Sequence, residues 1–396
     1  MIINDKRELA YVVLIDGIEP IEGADKVETA LVGGWRVMVR KEQFKVGDKA
    51  IYFEIDSKVP SNRTEFEFLS KKNWKIKTQK YFKGKVISQG LLMSFEDFGW
   101  DSNQYDVHQP LTDALEVTYA VEEDNKRKNS PSKYENMRAR HKELFKKQPF
   151  KFLMSKSWGR KILFIFFGKK RDNPRSFPKG FPYVSKTDEE RVENMPWVLG
   201  YKDPLILTEK LDGTSCTYIL EKKKFGKYEF YVSSRNIRQL APEQETYHQQ
   251  TKQSDVNIYW ELAFKYNIKE KLQQYLEENP ELIYVCIQGE GVGQVQGNPL
   301  KLDENRLYVF NFIRSDIGRL PSTQGKEIID KWNMNWVPII STEYYMPDNM
   351  EEFKIFADGN SVVNPNVLRE GFVLRDPKTN LSFKNVSRNY LLAKGE

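Results

Sequence analysis

Two hydrophobic periods divide this chain. Up to about residue 118, the runs AYVVLIDGIEPIEGAD, ETALVGGWRVMVRK, DKAIYFEID and KGKVISQGLLMSF are rich in β-branched and aromatic residues and are broken by Gly, Pro, Asp and Asn. Such runs predict short strands joined by turns. About five strands in roughly 110 residues suit a small Greek-key barrel of the OB-fold kind. Beyond about residue 186, strand-like runs alternate with helical ones. ILTEKLDGTSCTYIL and KYEFYVSSRN predict linked strands, and LIYVCIQGEG, RLYVFNFI, REGFVLRD and NLSFKNV predict further ones. Trp260, Phe264, Ile268, Leu272 and Leu276 form the apolar stripe of a helix that Pro280 stops. The fold class is therefore α+β, a barrel followed by a domain of antiparallel sheets and helices.

Between these parts, from about 119 to 185, the pattern fades. EEDNKRKNSPSKYENMRARHKELFKKQPF is polar and then basic, a linker with a short helix, and RDNPRSFPKGFP is loop. KTDEERVENM predicts a helix with Thr187 as N-cap and Glu190 at its third position.

Composition narrows the class. Hydrophobic residues at 39% and charged residues at 30% describe a soluble globular protein rather than a disordered one. The most apolar run, Ile162 to Phe167, is too short to span a bilayer, and the N-terminus lacks a signal-peptide pattern, so no membrane partner is expected. Two cysteines, Cys216 and Cys286, imply a reducing compartment, cytoplasmic or nuclear. Cysteine-rich zinc sites are excluded, and His108, His141 and His248 are too scattered for a histidine metal site.

A net charge of +6 is mild, so position matters more than total. KKNWKIKTQKYFKGK, Lys71 to Lys85, holds seven lysines and no acid. Lys71, Lys72, Lys75, Lys77, Lys80, Lys83 and Lys85 can neutralise phosphates, and Trp74 and Tyr81 can stack bases. The alternative is a solvated edge hairpin protected by lysine.

Five short segments carry candidate chemistry, and their order matters more than any one alone. Lys210-Leu211-Asp212-Gly213-Thr214 offers an amine nucleophile, a carboxylate and a turn at which backbone can approach a phosphate. Arg235, in Ser234-Arg235-Asn236, can fork onto phosphate or ribose oxygens. Gln288-Gly289-Glu290-Gly291 ends a strand, but Gly291, Gly293 and Gln296 break the dinucleotide fingerprint and no βαβ unit surrounds them. Glu370-Gly371-Phe372-Val373-Leu374-Arg375 and Ser382-Phe383-Lys384-Asn385-Val386 complete the series.

Together these segments resemble the nucleotidyltransferase motifs of the covalent ligase and mRNA-capping superfamily. Lys210 with Asp212 and Gly213 looks like motif I, Arg235 motif Ia, Glu290 motif III, Tyr308 to Phe312 motif IIIa, Glu370 motif IV and Lys384 motif V. DNA ligases and capping enzymes carry an OB domain after motif V, and nick-sealing phage RNA ligases a helical one; here twelve residues follow Lys384 and the barrel comes first. With WRVMVRKEQFKVGDKAIYFEIDSKVP, KVISQGL and FKNVSRNYLL, the whole resembles RNA ligase family 5, the Naegleria type.

That resemblance implies a nucleic-acid-binding barrel at 1–118, a basic linker with short helices at 119–185 and a nucleotidyltransferase domain at 186–396. It implies an ATP-dependent RNA ligase that captures AMP on Lys210 and joins 3′-hydroxyl and 5′-phosphate RNA ends, with duplex nicks favoured. Lys210 and Lys384 would be catalytic. Glu209, Asp212, Gly213, Arg235, Glu290, Phe310 and Lys384 would bind the nucleotide; for Phe310, a ring against adenine, the alternative is a plain core-strand residue. Asp212 and Glu370 would hold magnesium or manganese, and the enzyme would act as a monomer. Some RNA ligases carry K-x-K in motif V; here Ser382 takes the first position, and Arg388 is either its substitute or a plain surface residue. The alternatives are a DNA ligase, a capping guanylyltransferase, or a catalytically inactive RNA-binding protein.

Overall fold

The computed structural model describes the chain except residues 4–5, 83–84, 121–146, 148–149, 157–162, 164–187, 236–237, 240, 242–256, 380 and 395–396. Thr187, Lys83 and all of Ile162 to Phe167 but Leu163 lie outside the described residues. The chain divides into two compact units, Met1–Ala120 with Arg175–Glu396, and Val121–Pro174. In the second, a short helix, Phe150–Ser155, is described.

The first 120 residues are built on strands β1 (Ala10–Leu14), β2 (Gly17–Pro20), β3 (Val27–Val32), β4 (Trp35–Arg40), β5 (Lys49–Phe53), β6 (Gln79–Tyr81), β7 (Val86–Ser88) and β8 (Leu91–Met93). They pair as two three-stranded antiparallel sheets, β8-β5-β1 and β2-β3-β4, with β6 and β7 as a separate ribbon. Alternation along β4 explains its place: Trp35, Val37 and Val39 are buried, and Arg36, Met38 and Arg40 are not. Trp35 stacks on Tyr52, which meets Tyr11 edge-on, so three rings fill one core.

The later part has two sheets. One has order β9-β19-β18-β10-β17, from Glu190–Arg191, Ser382–Val386, Gly371–Arg375, Leu205–Lys210 and Ile339–Tyr344. The other runs β12-β11-β13-β14-β15, from Tyr228–Ser234, Thr214–Lys222, Tyr284–Val292, Arg306–Arg314 and Gly318–Arg319, with β16 (Asn335–Trp336) beside β14. Three helices, α1 (Ile258–Lys265), α2 (Ile268–Glu278) and α3 (Ser322–Lys331), bury Trp260, Leu272, Leu276 and Ile329 in the core of the second sheet. α4 (Met350–Phe356) packs Phe353 with Phe372 and Phe383 of the first sheet. The last described helix, α5, is Arg388–Lys394.

Three local expectations change. The stripe from Trp260 to Leu276 belongs to two helices, because Asn267 takes a left-handed φ of 48° and breaks the run; Phe264 is left 51% exposed. KTDEERVENM is not a helix where it is described: Glu190–Arg191 pairs in parallel with Phe383–Lys384, and Val192–Asn194 makes one 3₁₀ turn. A sheet edge outcompetes the local capping signal there. Finally, ILTEK and TSCTYIL are not one strand but lie in different sheets.

Lys354 of α4 is 1% exposed and ties these parts together. Its ammonium lies 2.8 Å from Glu193 and donates to the Val386 carbonyl at 2.8 Å. Lys354→Met leaves only Arg191 to offset the buried Glu193 charge, so urea unfolding should show a loss of about 3–5 kcal/mol. A loss under about 1 kcal/mol would mean the pair is dispensable.

Candidate active site

The chain leaves the first sheet at Lys210 and enters the second at Thr214. Gly213 is required at this crossing, since a Cβ there would sit 2.4 Å from the Gly291 carbonyl oxygen and 2.9 Å from Val292. A cleft of about 440 Å³ opens between the sheets, lined by Glu209, Lys210, Asp212, Gly213, Arg235, Glu290, Phe310, Glu370 and Lys384. Every nucleotide-site residue expected from the sequence therefore lines one cavity. The topology does this by ending β10, β12 and β13 toward it and pairing β18 with β10, so that Gly371 opposes Lys210.

The cleft is a lattice of opposite charges. Lys210 Nζ lies 2.6 Å from Glu370 Oε1. Burial opposes the Lys210 charge, but Glu370 and Glu290 together outweigh it and hold the ammonium above its ordinary pKa. Burial pushes Glu290 up to about 7, against the pull of Lys210. Lys384 is lowered by burial and by the repulsion of Lys210, with Asp188 at 3.4 Å opposing. Arg235 pairs with the same Asp188. Glu209 is 2% exposed; its Oε2 accepts from the Val362 N–H at 2.9 Å, and burial raises its pKa. Phe310 is half-buried against the core, with the Arg375 guanidinium 5.8 Å from its ring centroid.

The two acids expected to hold a metal have different partners. Asp212 accepts from the Tyr390 hydroxyl and from Lys394, both on α5, whereas Glu370 faces Lys210 and keeps a buried Oε2 without a protein partner. Among the described residues no group of three or more His, Cys, Asp or Glu side chains is gathered for a metal ion. One free carboxylate oxygen beside a second acid fits a magnesium-type ion that keeps most of its waters, and does not fit a closed protein cage.

Arg388 is not a substitute for the missing lysine. It is 7% exposed and donates to the Gly34 carbonyl and to Glu351, both at 2.8 Å. The lysine-rich stretch is likewise only partly free. Lys71, Lys72, Lys77 and Lys85 are exposed, and Lys75 and Tyr81 are half-buried. Trp74 packs on the barrel core, so its ring is not an open stacking platform. Lys80 donates to the Leu391 and Leu392 carbonyls at 2.6 and 2.9 Å. Sequence reasoning missed Asp188 and Arg191, hidden in the supposed helix, and Tyr390 and Lys394, which carry no motif.

An RNA ligase model matches residues 203–390, and an OB-fold domain model matches residues 9–95. No curated protein matches the chain by sequence. Among solved structures, Naegleria gruberi RNA ligase with PPi superposes with a TM-score of 0.61 at 25% identity, covering 99% of this chain and 100% of that one. Variants of the same Naegleria gruberi enzyme superpose at 0.62, one with ATP and Mn at 25% identity and one with AMP and Mn at 26%, each covering 98% of this chain and 99% of the other. The chain is an RNA ligase of this type. The ligase thus combines an N-terminal OB-fold with a catalytic domain whose motifs meet in one cleft. Among the described residues no helix is long and apolar enough to cross a membrane.

Folded Glu290 keeps its proton to about pH 7, whereas an unfolded glutamate releases it near 4.5. The folded ligase then binds more protons across that window, and stability falls as pH rises from about 4.5 to 7. Urea unfolding of the nucleotide-free protein at several pH values should show Glu290→Gln losing part of this slope. An identical slope in the variant would place the titration elsewhere.

Proposed function

We propose that the ligase is ATP-dependent and forms a lysyl-AMP on Lys210. The observation that carries this reading is the convergence of Lys210, Glu290, Glu370 and Lys384 in the cleft of an RNA ligase domain. The Naegleria gruberi enzyme, solved with ATP, AMP, PPi and Mn, supports the same nucleotide chemistry here.

In the first step Lys210, as a neutral amine, attacks the α-phosphorus; the P–N bond forms and pyrophosphate leaves with the electrons of the broken P–O bond. In the second, an oxygen of the RNA 5′-phosphate attacks the AMP phosphorus, the P–N bond breaks and Lys210 recovers a proton. In the third, the 3′-hydroxyl attacks the 5′-phosphate, losing its proton as AMP departs. Lys384 stands beside Lys210 to neutralise charge on the α-phosphate in the transition state. Glu290 accepts from ribose hydroxyls, Phe310 presents an apolar ring to adenine, and Arg235 takes a phosphate or ribose oxygen.

Lys210 must shed a proton that Glu370 and Glu290 help it keep. Glu370, through its unpartnered Oε2, and Asp212 would hold magnesium or manganese, whose charge offsets those acids and favours the neutral amine. The barrel, with exposed Lys71, Lys72, Lys77 and Lys85, adds a phosphate-contacting face for RNA, and duplex nicks are the favoured substrate. The domain division 1–118, 119–185 and 186–396 and action as a monomer belong to this reading. Buried free thiols at Cys216 and Cys286 support a reducing compartment, cytoplasm or nucleus.

Incubation with magnesium and α-labelled ATP should place label on the denatured wild-type protein and none on Lys210→Ala; GTP in parallel should give none. Label on Lys210→Ala would remove Lys210 as the nucleophile. Label from GTP would move the enzyme to capping chemistry, and no label after pyrophosphate stripping would favour an inactive RNA-binding protein.

A further inference from the structure

Besides Arg191 of β9, the cleft receives a cation from beyond the last motif strand. Lys394, in the last turn of α5, lines it together with Lys210, Arg235 and Lys384 and pairs with Asp212. Its reach is built into the fold, because α5 is held by three separate segments. Arg388 clamps the first turn to the Gly34 carbonyl of the barrel and to Glu351 of α4. Ser387, just before the helix, donates to Asp358 at 2.6 Å. Lys80 of β6 takes the Leu391 and Leu392 carbonyls, where cations favour a helix end, and Leu391 packs on Ile87 and Val386.

The charge arrangement says what this lysine is for. An ammonium has three donors, and Asp212 engages Lys394 while also accepting from Tyr390. Asp212 therefore keeps a hydrogen-bond partner when Lys394 turns away. The Lys394 side chain is 25% exposed and lines the cleft rather than a sealed core. A nucleotide entering that space brings several negative oxygens past Lys394, on the Asp212 side of Lys210.

We propose that Lys394 is a phosphate-binding residue of the ligase, its ammonium passing from Asp212 to a phosphate oxygen of ATP or of the RNA 5′ end. This rests on the ATP-dependent ligase reading above. Arg388, by contrast, is engaged in holding the helix.

The test compares Lys394→Met and Lys394→Arg with wild type in two assays, with melting temperature checking that the fold is intact. One assay is AMP capture against ATP concentration; the other is sealing of a pre-adenylated nicked RNA duplex without ATP. Lys394→Met should raise the ATP concentration for half-maximal capture about tenfold, and Lys394→Arg should recover most of it, since a charge-assisted contact to phosphate is what is lost. Slower sealing of pre-adenylated RNA with normal capture would assign the phosphate to the RNA end and also support the proposal. Unchanged behaviour of Lys394→Met in both assays would overturn it, as would an equally impaired, folded Lys394→Arg. Failure of wild type itself to take label from ATP would bring down the ligase reading, and this proposal with it.

Discussion

Between Lys210 and Thr214 one chain is handed from a five-stranded sheet to a six-stranded one, and the cleft exists because the two sheets meet there. The crossing demands backbone contact too close for a side chain, which Gly213 supplies against Gly291. The same closeness recurs at Gly371, where φ is +147° and a Cβ would lie 2.1 Å from the Asn385 carbonyl oxygen. These two glycines bring Lys210 beside Glu370, and the position of this lysine follows from backbone packing rather than from its own side chain.

Electrostatics then works within that frame. The cleft gathers Lys210, Lys384, Arg235 and Lys394 with Asp188, Glu290, Glu370 and Asp212. The pairs Lys210–Glu370, Lys384–Asp188, Arg235–Asp188 and Lys394–Asp212 make these charges tolerable, while burial pushes Glu290 toward its neutral form. The same pairing keeps Lys210 protonated. A resting site of this kind waits for a polyanion and a cation together, since either alone would leave one sign in excess. Under the proposed lysyl-AMP chemistry, this ion-pair lattice would be a holding state for Lys210, with its activation tied to nucleotide entry.

The barrel also holds part of the catalytic domain in place. Gly34 and Lys80 hold the two ends of α5, and α5 in turn holds Asp212. Part of the lysine-rich stretch thus serves the catalytic domain, while Lys71, Lys72, Lys77 and Lys85 stay exposed. Lysine spacing along a strand cannot separate these uses, because a helix carbonyl and a phosphate oxygen are both acceptors for the same ammonium.

The strands, the barrel-first order and the motif residues were legible in the sequence. β alternation and turn residues are local signals, and Lys210, Glu290 and Lys384 stand on strands, with Glu370 directly before one. Only tertiary structure decided the rest. It broke the stripe at Asn267, turned Glu190–Arg191 into an edge strand, committed Arg388 to Gly34, and sent Lys394 to Asp212. Each of these depends on a partner at least a hundred residues away or on one backbone angle, and nothing in a local run of residues encodes either. A motif records which groups the chemistry needs; the long-range contacts record which neighbours those groups receive.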